Sequence, residues 1–333
     1  MSRITENIIR RNAIQLINRN RGFVDEASAK VSSGDRVTKP GDDPGVSGTI
    51  STLKETDSRF DQHKLRIANI KALLALQSDI LVQANDLIIR GKEIASQAGN
   101  EVLGPDGRAQ LSNEVVQLRD AMVQLANTTY KGKYIYSGAR DNEPAFAPDD
   151  VAYAGDTSSG LFNQRIVFND GIGTDVQKDV TLTDSVSVVV NTRGSDVFQN
   201  AIETLEVLAR ALAGHNTDLD ANGSPIGTGV DFDFPADLQA QTQIILDSLT
   251  NLETARTEDV LNEQVSLAGR STRAETAESI LVSLQSNIQE VLTRTQGIDV
   301  FDAASELSRA QSALQSSLAV SAAVLDVSIL DFL

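Results

Sequence analysis

Residues 9–31 read IRRNAIQLINRNRGFVDEASAKV, and apolar side chains recur in this stretch at intervals of three and four residues. Intervals that repeat every eleven residues keep an apolar stripe nearly straight along an α-helix. The stretch contains no proline, so it predicts one long helix with a single apolar face. The positions of this face are Ile9, Ala13, Leu16, Val24, Ala27 and Val31, with only Asn20 interrupting the row.

Residues 300–333 carry a second stripe of the same kind. Chain ends fray unless they pack against something, and these two ends are suited to packing against each other. Two helices alone cannot cover stripes of this length, so the sequence predicts an assembly interface with copies of the same chain. The positions of the second stripe are Val300, Ala304, Leu307, Leu314, Leu318, Ala322, Leu325, Ile329 and Phe332, with Gln311 in line.

The composition excludes several classes of protein. A net charge of −17 argues against a nucleic-acid partner, because phosphate binding requires clustered lysine and arginine. The chain has no cysteine and only two histidines, which argues against disulfides and zinc sites. No long apolar run suggests a signal peptide or a membrane insertion. No catalytic constellation is evident, so we predict neither an enzyme nor a cofactor.

The pattern between the two ends changes twice. All prolines lie between positions 40 and 235, so the remainder can be helical nearly throughout. Helices are predicted over 45–99, around 111–125 and from 236 to the end, with an interruption at Gly297. A bundle-core stripe is expected at Ala277, Leu281, Leu284, Ile288 and Val291. Short strands are predicted at 134–136, 151–153, 165–168, 180–182 and 186–190, and a polar loop at 214–235.

These elements predict a mainly α fold. It is an elongated helical bundle with paired N- and C-terminal coiled-coil helices and a small β-rich inserted domain. The predicted domains are a terminal coiled coil, residues 1–33 with 298–333, and a helical rod, residues 34–133 with 199–297. Residues 134–198 form the β-rich insertion.

Two short motifs contain candidate site residues. After the first helix, Gly34 is expected to cap its end, while Asp42 or Asp43 caps the next helix and Pro44 occupies its first turn. The stretch DLDANG contains Asp218, Asp220 and Asn222 at the spacing that begins an EF-hand calcium loop. Loop position 12 is Gly229 instead of a bidentate acid. We therefore interpret this segment as an acidic surface loop, with calcium binding as the alternative.

Three stretches resemble the flagellin-like family of bacterial flagella. The first is SSGDRVTKPGDDP at 32–44, which is similar to the segment after the family's first helix. The second is YIYSG at 134–138, followed by PAF at 144–146, YAGD at 153–156 and GSDVF at 194–198. The third is the ending SILDFL at 328–333. Pro44 and the Leu-Asp-Phe-type ending are closer to the family's hook-associated junction members than to flagellin proper.

The resemblance implies a structural subunit rather than an enzyme. In this family the paired terminal helices form a tube and the inserted domain points outward. The implied partners are copies of the chain, the hook-side junction protein (hook-associated protein 1), flagellin and an export chaperone. The implied location is the extracellular flagellum, reached by type III export without a cleaved signal peptide. Two alternatives remain open at this point: a flagellin of the filament, and a secreted coiled-coil adhesin whose ends enter no tube.

Overall fold

In the computed structural model the protein is mainly α-helical, with a small strand-containing region. The structure describes residues 2–100, 103–138, 140–148, 165–169, 178–183, 186–219, 225–232 and 236–330; within these, the side chains of 2–7, 9, 217–219, 225–231 and 324–330 are not described. The chain divides into a terminal unit, Met1–Gln62 with Ile280–Leu333, and a central unit, His63–Ser279. These boundaries fall inside long helices, so the division into three domains stays a prediction.

Seven α-helices make up most of the described chain. Proline and glycine delimit several of them, as the sequence predicts, and Gly297 separates the last two. Short π-helical turns precede α4 and α6, at Ser195–Gln199 and Ala255–Val260. The helices are α1 Ser2–Ser33, α2 Pro44–Ala98, α3 Pro105–Ala126, α4 Asn200–Ala213, α5 Leu238–Thr254, α6 Leu261–Gln296 and α7 Val300–Leu330.

The core of the central unit is built around α4, which packs against α3 and α5. Leu205 of α4 is fully buried. A Cβ at Gly91 of α2 would lie 2.8 Å from Cδ2 of Leu205 and 3.3 Å from Cδ1 of Leu252. Glycine therefore lets α2 approach α4 and α5 closely. Two edge-to-face aromatic pairs extend this core, Tyr136 with Phe198 and Phe146 with Phe168.

Among the described residues, one helix, α2, is long and apolar enough to cross a membrane by length and composition alone. This corrects the expectation that the chain has no such segment. A core helix passes the same test, and Leu74, Leu81 and Ile88 of α2 are buried within the central unit. Packing against protein accounts for these apolar residues, and the absence of membrane insertion stays a prediction.

The described strands form four two-stranded antiparallel hairpins. Three of the predicted strands correspond to β4, β5 and β6, and the predicted strand at 151–153 lies outside the described residues. The strands are β1 Thr129–Tyr130, β2 Lys133–Tyr134, β3 Phe146–Pro148, β4 Ile166–Phe168, β5 Asp179–Thr183, β6 Val186–Val189, β7 His215–Leu219 and β8 Pro225–Asp231.

The structure differs from the predicted strands in two places. The strand expected at 134–136 ends at Tyr134, and its hairpin begins earlier, because Lys131 and Gly132 both have positive φ and form a tight turn. The segment expected to be a polar loop, 214–235, contains the hairpin β7–β8. It pairs Thr217 with Gly227 and Leu219 with Pro225, and glycine and proline are residue types of low strand propensity. Hydrogen-bonded pairing of the two segments thus forms strands where the local composition predicts a loop.

The predicted core stripe of α6 is partly wrong. Leu281 is buried, but Leu284 and Val291 are exposed by 43 % and 44 %. Gln285 takes the inward position, and its Nε2 donates to Asp57 Oδ1 and Asp61 Oδ1 at 2.9 Å each. Helix α6 therefore directs Gln285 toward α2, where two carboxylates accept hydrogen bonds from its side chain. Leu284 and Val291 remain exposed to water.

Candidate assembly interface

Helices α1 and α7 pack directly against each other in the terminal unit. Each helix contributes one face at helical spacing, and the side chains on it are buried or half-buried. On α1 this face comprises Ala13, Ile17, Asn20, Val24 and Ala27, and on α7 it comprises Ala303, Leu307, Ala310, Leu314, Ser317 and Ser321.

Small side chains occupy the most buried positions of this pair. Ala27, Ala303 and Ser317 are exposed by only 3 %, 2 % and 4 %. Ser317 Oγ donates to the Leu314 carbonyl at 2.8 Å, and Ser321 Oγ to the Ser317 carbonyl at 2.7 Å, so both hydroxyls are satisfied within α7. Among the described side chains of α1 and α7, no large apolar residue is fully buried.

Asn20, the residue that interrupts the first stripe, has a specific role in the pair. Its Nδ2 donates to the carbonyl oxygen of Ala313 on α7 at 3.3 Å. A polar residue at a seam position costs stability but favours one register, because other registers leave it unsatisfied. Asn20, which interrupts the apolar stripe, therefore makes a contact that favours one alignment of α1 against α7.

The second predicted stripe divides between two faces of α7. Leu307 and Leu314 face α1, whereas Val300 and Leu318 are exposed by 67 % and 49 %. Ala304, Gln311 and Ala322 are also exposed. A partner helix covers only one side of α7, and the stripe is wider than that side. Leu325, Ile329 and Phe332 lie outside the described side chains, as does Ile9 of the first stripe.

On α1 the same separation occurs. Ala13, Val24 and Ala27 face α7, whereas Leu16 and Val31 are exposed by 47 % and 37 %. Further exposed apolar residues of α1 and α7 lie off the predicted stripes, and the sequence pattern did not predict them as part of an interface. Their signal was present in the sequence as large apolar side chains on the two long terminal helices, outside the predicted stripes. They are Ile8 at 46 %, Ile14 at 51 %, Phe23 at 49 %, Phe301 at 89 % and Val320 at 59 %.

The central unit has a different distribution of apolar residues. Leu81, Ile88 and Ile202 there are completely buried, as are many of their neighbours. The terminal pair instead keeps roughly half of several large side chains in contact with water. An unusual number of exposed large apolar side chains is typical of interaction sites in proteins. The arrangement is suited to association with other protein surfaces.

The turn after α1 is organised by two carboxylates. Gly34 adopts a φ of +74° at the end of α1, a conformation that favours glycine. Asp42 Oδ2 accepts hydrogen bonds from the backbone N–H of Lys39 at 2.8 Å and of Thr38 at 2.9 Å. Asp43 Oδ1 accepts from the Val46 N–H at 3.2 Å, and Pro44 begins α2. These contacts cap α2 and hold the turn.

A second set of hydrogen bonds ties this turn to the connection between α6 and α7. The Ile298 N–H donates to the Gly34 carbonyl at 3.0 Å, and the Arg36 N–H donates to the Gln296 carbonyl at 2.7 Å. Gln296 Nε2 also donates to Asp35 Oδ2 at 2.7 Å. The two chain segments that lead into the α1–α7 pair are thus joined side by side.

We expect acid to destabilise this turn. Hydrogen bonds, from the Lys39 N–H first, lower the pKa of Asp42, and the Arg36 side chain lowers the pKa of Asp43 below its usual value. Carboxylates with depressed pKa values contribute stability above their unfolded pKa, about 3.9, and lose it as the pH falls through the folded pKa. The thermal unfolding midpoint should therefore fall on acidification below about pH 4.

The variant Asp43→Asn tests this expectation by circular dichroism. Asparagine can still cap the helix but carries no charge to titrate. The midpoint of the variant should be lower than that of the native protein near neutral pH, and the two should converge in acid. A constant difference at every pH would contradict the assignment.

The calcium candidates lie where the structure gives no side-chain geometry. Asp220 and Asn222 lie outside the described residues, and the side chain of Asp218 is not described. Within the described part of the chain, no group of three or more histidine, aspartate or glutamate residues could hold a metal ion.

Comparison with known proteins relates the chain to bacterial flagella. Residues 4–141 match the family described as the bacterial flagellin N-terminal helical region. The chain is 30 % identical over 131 residues to flagellar hook-associated protein 3 of Escherichia coli, covering 39 % of this chain and 41 % of the relative. It is 27 % identical over 187 residues to flagellar hook-associated protein 3 of Salmonella typhimurium, covering 55 % of this chain and 58 % of the relative.

These alignments span about half the length of the curated relatives. A solved flagellar hook-associated protein of Vibrio parahaemolyticus has the same fold, with a TM-score of 0.59, 18 % identity, and coverage of 77 % of this chain and 100 % of that one. Residues 4–141 of the chain are therefore similar to the bacterial flagellin N-terminal helical region, and parts of the chain are similar to hook-associated protein 3 of two bacteria.

Proposed function

We propose that this protein is a structural subunit of the bacterial flagellum that joins the hook side to the filament. The observation that carries the proposal is the α1–α7 pair, whose large apolar side chains, Leu16, Phe23 and Leu318 among them, stay about half exposed. The proposal is also supported by similarity to proteins named flagellar hook-associated protein 3.

The proposed mechanism is assembly coupled to folding. Helices of this kind are marginally stable in water unless an apolar face packs, and the α1–α7 pair buries mainly small residues. Before assembly the two ends are therefore only weakly held. On assembly the exposed apolar side chains become buried between subunits, and this burial offsets the entropy lost on ordering. Ends that order late also suit passage through a narrow export channel.

The proposed partners follow from this role. They are copies of the chain itself, hook-associated protein 1 on the hook side, flagellin on the filament side, and an export chaperone before secretion. The proposed location is the extracellular flagellum, reached by type III export without a cleaved signal peptide. The proposed assembly residues are the members of the two predicted stripes that stay exposed, together with the exposed residues that lie off them. The remaining described members of the stripes hold α1 and α7 together within the subunit.

Deletion of the gene in the source bacterium tests the role. We expect the cells to keep their hooks, to lose motility, and to release monomeric flagellin into the medium. A copy of the full chain should restore attached filaments, and a copy that lacks residues 300–333 should not. An epitope label should place the protein between hook and filament in electron micrographs of isolated flagella.

Other outcomes would support the alternatives. Labelling along the whole filament, with no flagellin released by the deletion strain, would identify a filament subunit. Intact filaments in the deletion strain, with full activity of the chain that lacks 300–333, would favour an adhesin. Either result would overturn the junction role.

A further inference from the structure

Charge is distributed unevenly between α1 and the remainder of the chain. Helix α1 contains six basic and three acidic residues, a net charge of +3. The whole chain carries −17, so the residues outside α1 carry −20. Helix α7 contains three acidic residues and one basic residue. Identical subunits with this excess of negative charge repel one another, so contacts between copies need a local source of positive charge. Helix α1 can supply it.

One flank of α1 combines positive charge with apolar surface. Leu16, Arg19 and Phe23 follow one another at intervals of three and four residues, so they share one side of the helix. All three are exposed, and the Arg19 guanidinium lies 5.6 Å from the centre of the Phe23 ring. This cation–π contact holds the charge above an exposed aromatic face. We call these three residues the α1 patch.

The first turn of α7 has complementary properties. Val300 and Phe301 are exposed by 67 % and 89 %, and Phe301 is the most exposed large apolar residue in the described part of the chain. Asp302, also exposed, follows them directly. The backbone N–H of Phe301 donates to Asp299 Oδ1 at 2.8 Å, which caps the helix and fixes the position of the turn. Successive helix positions point about 100° apart, so Phe301 and Asp302 are neighbours on the helix surface, whereas Val300 and Asp302 lie on opposite flanks. We call Phe301 and Asp302 the α7 patch.

We propose that the α1 patch of one copy binds the α7 patch of a second copy. In this contact Arg19 pairs with Asp302, and Phe23 packs against Phe301. Aromatic residues, phenylalanine included, and arginine are enriched at protein interfaces relative to the rest of the surface. The inference rests on the proposed function and names the partner of its interface.

A second copy of the chain is the occupant because each chain carries both patches, with opposite charges. The patches are different surfaces, so the contact is head-to-tail and leaves one patch free at each end of a pair. Contacts of this type repeat from copy to copy and close into a ring when the rotation between copies permits. A ring of this kind fits a junction in a tubular structure.

Cysteine cross-linking in isolated flagella tests the contact, because the chain has no cysteine of its own. Glu26→Cys lies three residues beyond Phe23, and Ser305→Cys lies four residues beyond Phe301, so both leave the patches intact. Cells that coexpress the two single variants should yield a covalent dimer with a short bismaleimide. Cells that express either variant alone should yield none.

The control replaces Glu26→Cys with Ser286→Cys, because Ser286 is exposed on α6 and lies outside both patches. Coexpression of the Ser286→Cys and Ser305→Cys variants should give at least tenfold less dimer. Absence of the dimer while the protein is present in the flagella would overturn the inference and leave the proposed function standing. A cross-link to another protein, or dimers from a single variant, would also overturn it. Absence of the protein from flagella would instead count against the proposed function.

Charge reversal adds a second readout. With the cysteines in place, Arg19→Asp should lower the dimer yield at least tenfold, because it places two carboxylates opposite each other. Adding Asp302→Arg on the partner copy should restore the yield. Circular dichroism of each purified variant confirms that helix content is unchanged. Unchanged yield with Arg19→Asp, or no recovery in the reversed pair, would show that these charges do not meet.

Discussion

A chain that carries both Leu16→Glu and Leu318→Glu is expected to fold but not to enter the flagellum. Each leucine is about half exposed in the α1–α7 pair, so neither carboxylate has to be buried in the free protein. In the proposed assembly both positions contact other subunits, so each substitution would replace an apolar contact with an unpaired charge. Burial of such a charge costs several kcal/mol even after relaxation, unless the group becomes protonated.

We expect the two substitutions together to weaken assembly by more than 100-fold, which corresponds to about 3 kcal/mol. The measurement is the amount of the variant in isolated flagella, with released flagellin as a second readout. The matched control carries Asn18→Glu and Ser312→Glu, which add the same charge at exposed polar positions of the same helices. Normal incorporation of the double leucine variant would show that these side chains do not take part in assembly.

The second large effect concerns the central unit, where Leu205→Ala should lower the free energy of unfolding by about 2–5 kcal/mol. Leu205 is fully buried, and its removal leaves a cavity between α4 and Gly91 of α2. The surrounding helices are long and tied to several neighbours, so they cannot collapse fully into the space. Hydrogen exchange of the α4 amides measures the loss within this unit.

A double-mutant cycle distinguishes this packing from a general loss of stability. Alanine at Gly91 would place its Cβ 2.8 Å from Leu205 Cδ2, so it overpacks the native core. In the Leu205→Ala background the 2.8 Å contact is absent, and the remaining 3.3 Å contact with Leu252 Cδ1 can relax into the cavity. Gly91→Ala should therefore become stabilising, by up to about 1 kcal/mol, through helix propensity and partial filling of the cavity.

Gly269→Ala is the matched control for that cycle. Gly269 lies on an exposed face of α6, and no atom lies within 4 Å of the position that an added Cβ would take, so alanine meets no steric resistance there. It should raise stability by about 1 kcal/mol in either background. Equal effects of Gly91→Ala with and without Leu205 would contradict the close approach of these helices.

Much of the helical architecture was predictable because its signals are local. The helix expected at 45–99 is α2, Pro44–Ala98, because Pro44 sets its first turn and Gly99 follows its end. The breaks at Gly34 and Gly297 were predictable for the same reason. Strand pairing was less accessible. Strands β7 and β8 include Asn216, Asp218, Pro225 and Gly227, residue types that are depleted in strands, and the hairpin depends on the pairing of the two segments.

Buried polar residues of the central unit had no signal in the sequence. Arg108 is completely buried in α3, where its guanidinium donates to Gln241 and to Thr242 Oγ1 of α5. An arginine in a helical sequence is expected to be exposed, because arginine is rarely buried without a partner. Its burial can be inferred only when the helix that supplies its hydrogen-bond acceptors is known. Gln285 became a core residue for the same reason, since its partners Asp57 and Asp61 lie more than 200 positions away in the chain.

The amino-acid order was sufficient to identify two amphipathic terminal helices and the likeness to flagellin-like proteins, because both depend on spacing and short motifs along one segment. The tertiary structure decided which side of each stripe is used inside the chain. It directs Leu307 and Leu314 toward α1 and leaves Val300 and Leu318 outside. The physical reason is that an apolar stripe indicates only which residues favour burial. Which of these residues are covered depends on the neighbouring helix that packs against them.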